Sequence, residues 1–424
     1  MTPIHNWASN LVYSTTNVSY PQTVEAVRAL VKQVDKVRVL GTRHSFNTIA
    51  DSGENLLSLE QLPASITINR EQKTVTISAN ITYGQLCPVL HQAGFALHNM
   101  ASLPHISVIG ACATATHGSG VHNQNLATAV SGLEIVTADG ELVRLSREQD
   151  GDFFLGAVVG LGALGVVVSL TLDLLPAFDM RQYVYEGLPL SQMEQHFDAI
   201  MSSAYSVSLF TDWQGDSINQ VWIKRRADDN DSAAIMPEFF GAKAATKQMH
   251  PIAVLSGEPC TQQLGIRGAW HERLPHFRID ATPSAGNELQ SEYFVPRSHA
   301  VEAIRAVRTL KDDITPHLLI SEIRTIAADH LWLSPCYQRD SVAIHFTWKP
   351  DWPAVREVLP KIEAQLTPFH ARPHWAKLFT MPPQQVQSGY DKLPHFKQLM
   401  AQYDPQGKFR NAFIDTMIFG NEGA

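Results

Sequence analysis

The chain has 424 residues, 44% of them apolar and 17% charged, with a net charge of −8 and a pI near 6.1. That length exceeds one ordinary core and sets an expectation of two domains, while the composition fits a soluble globular protein. No long Lys/Arg run is present, which argues against nucleic acid or an anionic membrane as the main partner.

The N-terminus lacks a basic region followed by an apolar one, so no signal peptide is expected and the expected compartment is the cytoplasm, with thiols reduced. Cys87, Cys112, Cys260 and Cys336 are far apart and form no C-x-x-C. They read as buried apolar residues, and no metal is expected. Residues 21–34 predict an amphipathic helix with Val24, Val27, Leu30 and Val31 on one face. A short apolar strand at 37–40 then runs into Gly41-Thr42-Arg43-His44-Ser45-Phe46-Asn47. A strand that ends in small and polar residues presents backbone N–H groups able to cradle an anion such as a pyrophosphate. His44 places an imidazole nucleophile in that loop. Residues 65–69 and 74–78 alternate apolar and polar side chains and predict a hairpin. A short helix is expected at 83–93, with Pro88 tolerated only near its start. Ser102 follows in Asn99-Met100-Ala101-Ser102-Leu103-Pro104-His105. The second small-residue run, Gly110-Ala111-Cys112-Ala113-Thr114-Ala115-Thr116-His117-Gly118-Ser119-Gly120, comes next. Segments 133–137 and 141–145 flank Asp139-Gly140, a hairpin-turn signal. Strands and helices thus mix over 1–175 without strict alternation, which predicts an α+β fold.

Residues 153–172 carry no charged side chain and hold Gly156-x-x-x-Gly160, a pattern also found in membrane spans. Four glycines interrupt the stretch, its end alternates like a half-buried strand, and no basic residues flank it. A buried helix, a glycine turn and a strand are expected instead. The segment 160–165 matches G-x-G-x-x-G, but the Rossmann motif needs a strand before it and a helix after it. Here the order is reversed, so a nicotinamide-dinucleotide fold is rejected. The glycines are left free to let the backbone approach some other ligand.

From about residue 178 the character changes. Helices are expected near 188–204, 298–312 and 351–367, strands at 206–210 and 342–347, and irregular structure over 225–265. Glu322 and Arg324 stand two apart and share one face of a strand, as do His345 and Thr347. Lys377 closes the run 372–377. Hydroxyls, a carboxylate, a guanidinium and an amine are what recognition of a sugar or polyol requires, because each substrate hydroxyl needs a donor and an acceptor. Taken singly, each is more simply a strand residue in a salt bridge. His117 reads as packed within its loop, His105 as structural, and His276 and His374 carry no argued role.

Together the two small-residue runs resemble the flavin-binding half of the vanillyl-alcohol-oxidase family. The likeness extends over nearly the whole chain, through the runs 205–213, 270–277 and 289–293, and is strongest to the polyol-oxidising members. It implies an α+β, two-domain FAD-binding fold of the PCMH type with a substrate cap. Residues 1–177 would bind FAD, 178–380 would form the cap, and 381–424 would return to the FAD-binding part. By the same resemblance, His44 carries FAD covalently. Gly41, Thr42, Arg43, Ser45, Phe46, Asn47, Ala101, Ser102, Gly110, Ala113, Thr114, Thr116, His117, Gly118, Val166 and Asn411 would line the cofactor. Ser102, Glu322, Arg324, Thr347 and Lys377 would hold a polyol, with His345 beside the reacting carbon and His345 or Lys377 as base. Two departures stand out: Arg43 occupies a position where glycine is usual, and Cys112 replaces a smaller residue. The implied reaction takes a terminal primary alcohol such as that of xylitol or sorbitol to the aldehyde, with O2 reduced to H2O2. Two alternatives remain: a sugar-lactone oxidase or dehydrogenase of the same family, and a flavin- or sugar-binding protein without turnover.

Overall fold

The computed structural model describes residues 2–78, 80–227, 236–281 and 288–420. Near the N-terminus, the helix Val24–Gln33 starts where the Thr23 side chain accepts the Ala26 N–H, and it buries Val27 and Val31. The chain then forms a parallel three-stranded sheet of Val18–Ser19, Leu56–Ser58 and Arg38–Leu40. The predicted hairpin pairs Ile66–Asn69 with Thr74–Ser78 and belongs to an antiparallel five-stranded sheet. In that sheet Thr74–Ser78 and Val130–Val136 flank Val166–Asp173, with Leu142–Ser146 at the far edge. At the Asp139-Gly140 turn, the Thr137 N–H bonds the Glu141 carbonyl and Gly140 adopts φ +76°. This is a longer connection than a two-residue hairpin loop.

Pro88 departs from expectation. It lies inside the helix Tyr83–Gln92, at its sixth residue and not near its start. A Thr82/Gln85 capping box and four buried side chains hold the helix around the missing N–H. The stretch 153–172 resolves as expected: the end of the helical segment Arg147–Val158, which kinks at Gly151, a glycine turn, then the strand Val166–Asp173. A Cβ at Gly165 would sit 2.4 Å from the Val136 carbonyl oxygen, so close strand packing requires that glycine. Among the described residues, no helix is long and apolar enough to cross a membrane.

The described residues between 179 and 373 build a ten-stranded antiparallel sheet. Its centre runs Ser217–Arg226, Ser206–Thr211, Leu318–Ile326, Ser341–Trp348, Leu289–Pro296. These strands are buried on both faces, as the unbroken burial of Ser341–Trp348 illustrates, and the helices Ala300–Arg308 and Trp352–Leu366 bury their apolar sides in the same core. The last segment returns to the N-terminal sheets. The Val37 N–H bonds the Lys408 carbonyl, and Phe409 joins Val27, Val31 and Val166 in one apolar cluster. Helices and antiparallel sheets are therefore mixed, an α+β fold as expected.

Candidate active site

A cavity of about 310 Å³ is lined by the first loop, the second loop, the glycine turn and one face of the ten-stranded sheet. The two loops meet at Ser107. A Cβ on Gly41 or Gly110 would come within 2.8 or 2.6 Å of its Oγ, and the Ser107 N–H donates to Thr42 Oγ1 at 3.1 Å. Arg43 adopts φ +61°, a left-handed conformation that glycine takes freely and arginine at a cost of roughly 1 kcal/mol. Its side chain is exposed, reaching the His5 carbonyl. The His44 ring stacks on Trp7 with centroids 5.1 Å apart. Its Nδ1 lies 3.1 Å from Thr42 Oγ1, and its buried Nε2 has no hydrogen-bond partner among the described residues. Burial pulls the imidazole down to about 4, so the ring is neutral at pH 7. The turn at 160–165 faces the same space, its Leu161 N–H bonded to the Ala113 carbonyl of the second loop. Beneath it, the Arg38 guanidinium donates to the carbonyls of Leu161, Gly162 and Phe409 at 2.8, 2.8 and 2.6 Å.

Strand register assembles the opposite wall. Glu292, His345 and Glu322 form one row across three neighbouring strands. Arg324 and Thr347 stand two residues along on the same face. Fully buried Glu292 is the hub. Its carboxylate oxygens lie 2.8 Å from Arg324 Nη2, 2.8 Å from Lys377 Nζ and 3.1 Å from His117 Nε2. Burial acts to raise the Glu292 carboxyl, but Lys377, His117 and Arg324 outweigh it and hold it well below the usual carboxylate range. Lys377 Nζ also lies 2.8 Å from His345 Nδ1, and His345 Nε2 lies 3.1 Å from Thr347 Oγ1. Burial, with Lys377 second, pushes His345 down to about 4. Burial also lowers Lys377, against the pull of Glu292. Glu322 accepts from His276 Nε2 at 2.7 Å and lies 3.6 Å from Arg324 Nε. Burial opposes its ionisation, yet Arg324 and His276 hold it low. Arg324 Nη1 reaches Ser102 Oγ at 3.4 Å.

All the expected substrate-side residues line this cavity, as do the expected cofactor-side residues apart from four. Asn47 turns its amide to the Trp375 and Lys377 carbonyls, tying the first loop to the lysine segment. Gly118 is packed against Asn99 and the Met100 carbonyl, where a Cβ would approach to 2.5 Å or less. Val166 is buried in the apolar cluster, while its neighbours Gly165 and Val167 face the cavity. Asn411 donates to the Thr48, Ile49 and Asp51 carbonyls. These four shape the walls without lining them. His117 does more than pack within its loop: its Nδ1–H donates to the Gly118 carbonyl at 2.8 Å while its Nε2 faces Glu292. Sequence reasoning missed Glu292, His276 and His374, all three of which line the cavity. The available signal was a carboxylate inside a run that otherwise reads as a buried strand.

The fit to a flavin nucleotide rests on the unpartnered His44 nitrogen, the small-residue cradle of two touching loops and the glycine turn at one end. Comparisons with known proteins agree. Residues 16–146 match an FAD-binding domain model, and 284–417 match the model for D-arabinono-1,4-lactone oxidase. An alditol oxidase from Streptomyces sp. is 45% identical, over 99% of this chain and 100% of that one. L-gulonolactone oxidase from Mus musculus is 25% identical over 98% of each. A crystal structure of cholesterol oxidase from B. sterolicum superposes with a TM-score of 0.80 at 15% identity, covering 98% of this chain and 96% of that one, which bears on the fold alone. Identity at that level over two whole chains places this one: it belongs to the alditol oxidase family, within the FAD-binding flavoproteins of the vanillyl-alcohol-oxidase type.

Proposed function

We propose that the chain is a cytoplasmic FAD-dependent oxidase of alditols, taking the terminal primary alcohol of a polyol such as xylitol or sorbitol to the aldose. Residues 1–177 with 381–424 hold the cofactor, and 178–380 cover the substrate. The observation that carries this reading is the polar face Glu322, Arg324, His345, Thr347 and Lys377 set across one cavity from the His44 loop. When bound, FAD supplies the acceptor for hydride from the carbinol carbon and delivers the electrons to O2, giving H2O2. The protein supplies the rest. Glu322 accepts from polyol hydroxyls, while Arg324 and the Ser102 hydroxyl donate to them. The reacting hydroxyl gives up its proton to the Lys377/His345 pair, whose nitrogens lie 2.8 Å apart. With His345 held neutral, that pair can accept one proton, and the Glu292 carboxylate beside it offsets the added charge.

Anaerobic addition of xylitol to the purified yellow protein should bleach the flavin absorbance, and readmitted air should restore it with release of H2O2. Protein that stays yellow with every polyol but is bleached by a gulonolactone would establish the lactone reading, which the lactone-oxidase model over 284–417 favours. Protein that no sugar bleaches would be a binding protein only.

We also propose a covalent bond between a His44 ring nitrogen and the flavin. A neutral imidazole with a nitrogen left unpartnered in a buried site is a competent nucleophile. Acid-precipitated protein should keep its colour, and His44→Ala should release its flavin to the supernatant. Wild-type supernatant carrying all the colour would refute the bond.

A further inference from the structure

Against Glu322 lies a second lysine–histidine couple that the proposed chemistry does not use. Lys224 is buried in the strand Ser217–Arg226 and does not line the cavity. Its Nζ lies 2.5 Å from the Leu274 carbonyl oxygen, 3.0 Å from that of Pro275 and 3.2 Å from His276 Nδ1. Three acceptors call for three N–H donors, which only the ammonium form provides. An ammonium cannot accept, so His276 Nδ1 must offer its lone pair. The ring proton of neutral His276 is therefore on Nε2, the nitrogen 2.7 Å from Glu322 Oε1. Phe210 and Trp222 meet the His276 ring edge-on, with centroids 5.4 and 5.2 Å away, and fix its plane.

The geometry points to Lys224 and His276 as a tautomer clamp: Lys224 fixes the His276 proton on Nε2, and the clamped ring holds Glu322 as an oriented, acceptor-only carboxylate for a polyol hydroxyl. Both are positioning residues, and Lys224 acts wholly through His276. The inference rests on the alditol reading for its substrate, not for its hydrogen-bond logic. The charges around it are accounted for. Arg324 and His345 face Glu322, and Arg273 and the Cys260 thiol lie near Lys224. Burial holds His276 down to about 4, which keeps the ring neutral, and draws the Lys224 ammonium down to about 7, so the clamp is complete below that pH. Without the clamp, Glu322 would face either a bare ring nitrogen, which repels it, or an imidazolium, which occupies it more tightly than a hydroxyl donor could.

The test uses the flavin-loaded protein labelled with 15N-histidine, the His276 signals being identified by their loss in His276→Gln. In wild type, Nε2 should be protonated and Nδ1 bare. Lys224→Met should move a proton to Nδ1, because that nitrogen and the carbonyls left behind have lost their donor. Xylitol kinetics give the second readout. Lys224→Met should raise KM on the order of tenfold, more than it lowers kcat, at unchanged flavin content. His276→Phe should do the same, and His276→Gln, which keeps an N–H near Nε2, should recover most of the loss. A wild-type ring protonated on Nδ1, or an unaltered tautomer in Lys224→Met, overturns the clamp, and so does equal KM for His276→Phe and His276→Gln. Should Lys224→Met fail to fold, the wild-type spectrum and the two His276 variants decide. If wild type does not turn over xylitol at all, the alditol reading fails, and the spectra still decide on the clamp.

Discussion

A single carboxylate, Glu292, sets the charge of the groups around it. It lies 2.8 Å from both Arg324 and Lys377 and is fully buried. Its negative charge is what keeps burial from stripping the proton from Lys377 more completely. Glu292→Gln removes that charge at nearly constant shape, so the Lys377 amine should become neutral at lower pH. If the Lys377/His345 pair is the base, the rise of flavin-reduction rate with pH should move toward acid. Polyol affinity should fall as Arg324 loses the nearer of its two carboxylate partners, and stability should drop by about 1–3 kcal/mol. Stopped-flow reduction by xylitol across pH 6–9 measures the shift, and an unmoved or alkaline-shifted profile would detach Lys377 from the proton. The groups of this site were unequally legible in the sequence. His44, Glu322, Arg324, His345 and Thr347 stood out through a loop and through two-residue spacing within single strands, and their roles came from the family resemblance. Glu292 did not stand out, because its meaning comes from Arg324, 32 residues away, and from register across three strands. His276 was hidden for the same reason, its partners lying 46 and 52 residues off.

Elements turn these single residues into walls. Strands buried on both faces leave no solvent for polar side chains, so Glu292, Glu322, Arg324 and His345 must satisfy one another or the ligand. Aromatic residues take the alternate positions: Phe346 stacks on Trp348 at 5.1 Å, and Trp348 Nε1 donates to Ser291 Oγ. The periodic elements were legible because alternation and capping are local. The helix–turn–strand order at 153–172 followed from the glycines, the alternation at its end and the lack of flanking basic residues. Less legible were the close approaches that fix the loops, since they depend on which segments meet. Gly118 is one of them. Its missing Cβ makes room for Asn99 Oδ1 at 2.4 Å and the Met100 carbonyl at 2.5 Å, next to Ala101 and Ser102 on the cavity wall. Backbone cannot yield as a side-chain tip can. Gly118→Ala should therefore cost about 1–3 kcal/mol of stability and lower the flavin retained through purification. Gly53→Ala, where a Cβ meets nothing within 4 Å, is the control. Equal melting temperatures for the two variants would show that the second loop is not tightly packed there.

At the scale of the molecule, the site joins parts of the chain that are remote in sequence. Arg38 alone binds carbonyls of Leu161, Gly162 and Phe409, and Asn411 binds those of Thr48, Ile49 and Asp51. Burying so many polar groups together has a consequence for stability against acid. His276 and His345 are held down to about 4 in the folded chain, mainly by burial and next by Lys224 and Lys377. An unfolded chain restores their ordinary value near 6.5. Between about pH 6.5 and 4 the unfolded state therefore binds more protons at these sites, and stability falls as pH falls. Asp329 works the other way, since burial raises it to about 6 and the folded state keeps its proton. With His44 also held down to about 4, three histidines stand against one aspartate, so the unfolded chain takes up the larger number of protons as the pH falls. His98 and His374 are lowered by burial too and steepen the slope. Glu292 and Glu322, held low, add their loss only once the pH falls below the ordinary carboxylate range. The melting temperature should accordingly drop from pH 7 to pH 5, well before the carboxylates protonate. His276→Gln should flatten that slope by about one proton while leaving the curve above pH 7 parallel to wild type. A melting temperature constant from pH 7 to 5 would mean that these histidines are not held neutral, and the proton chemistry assigned to His345 would fall with them.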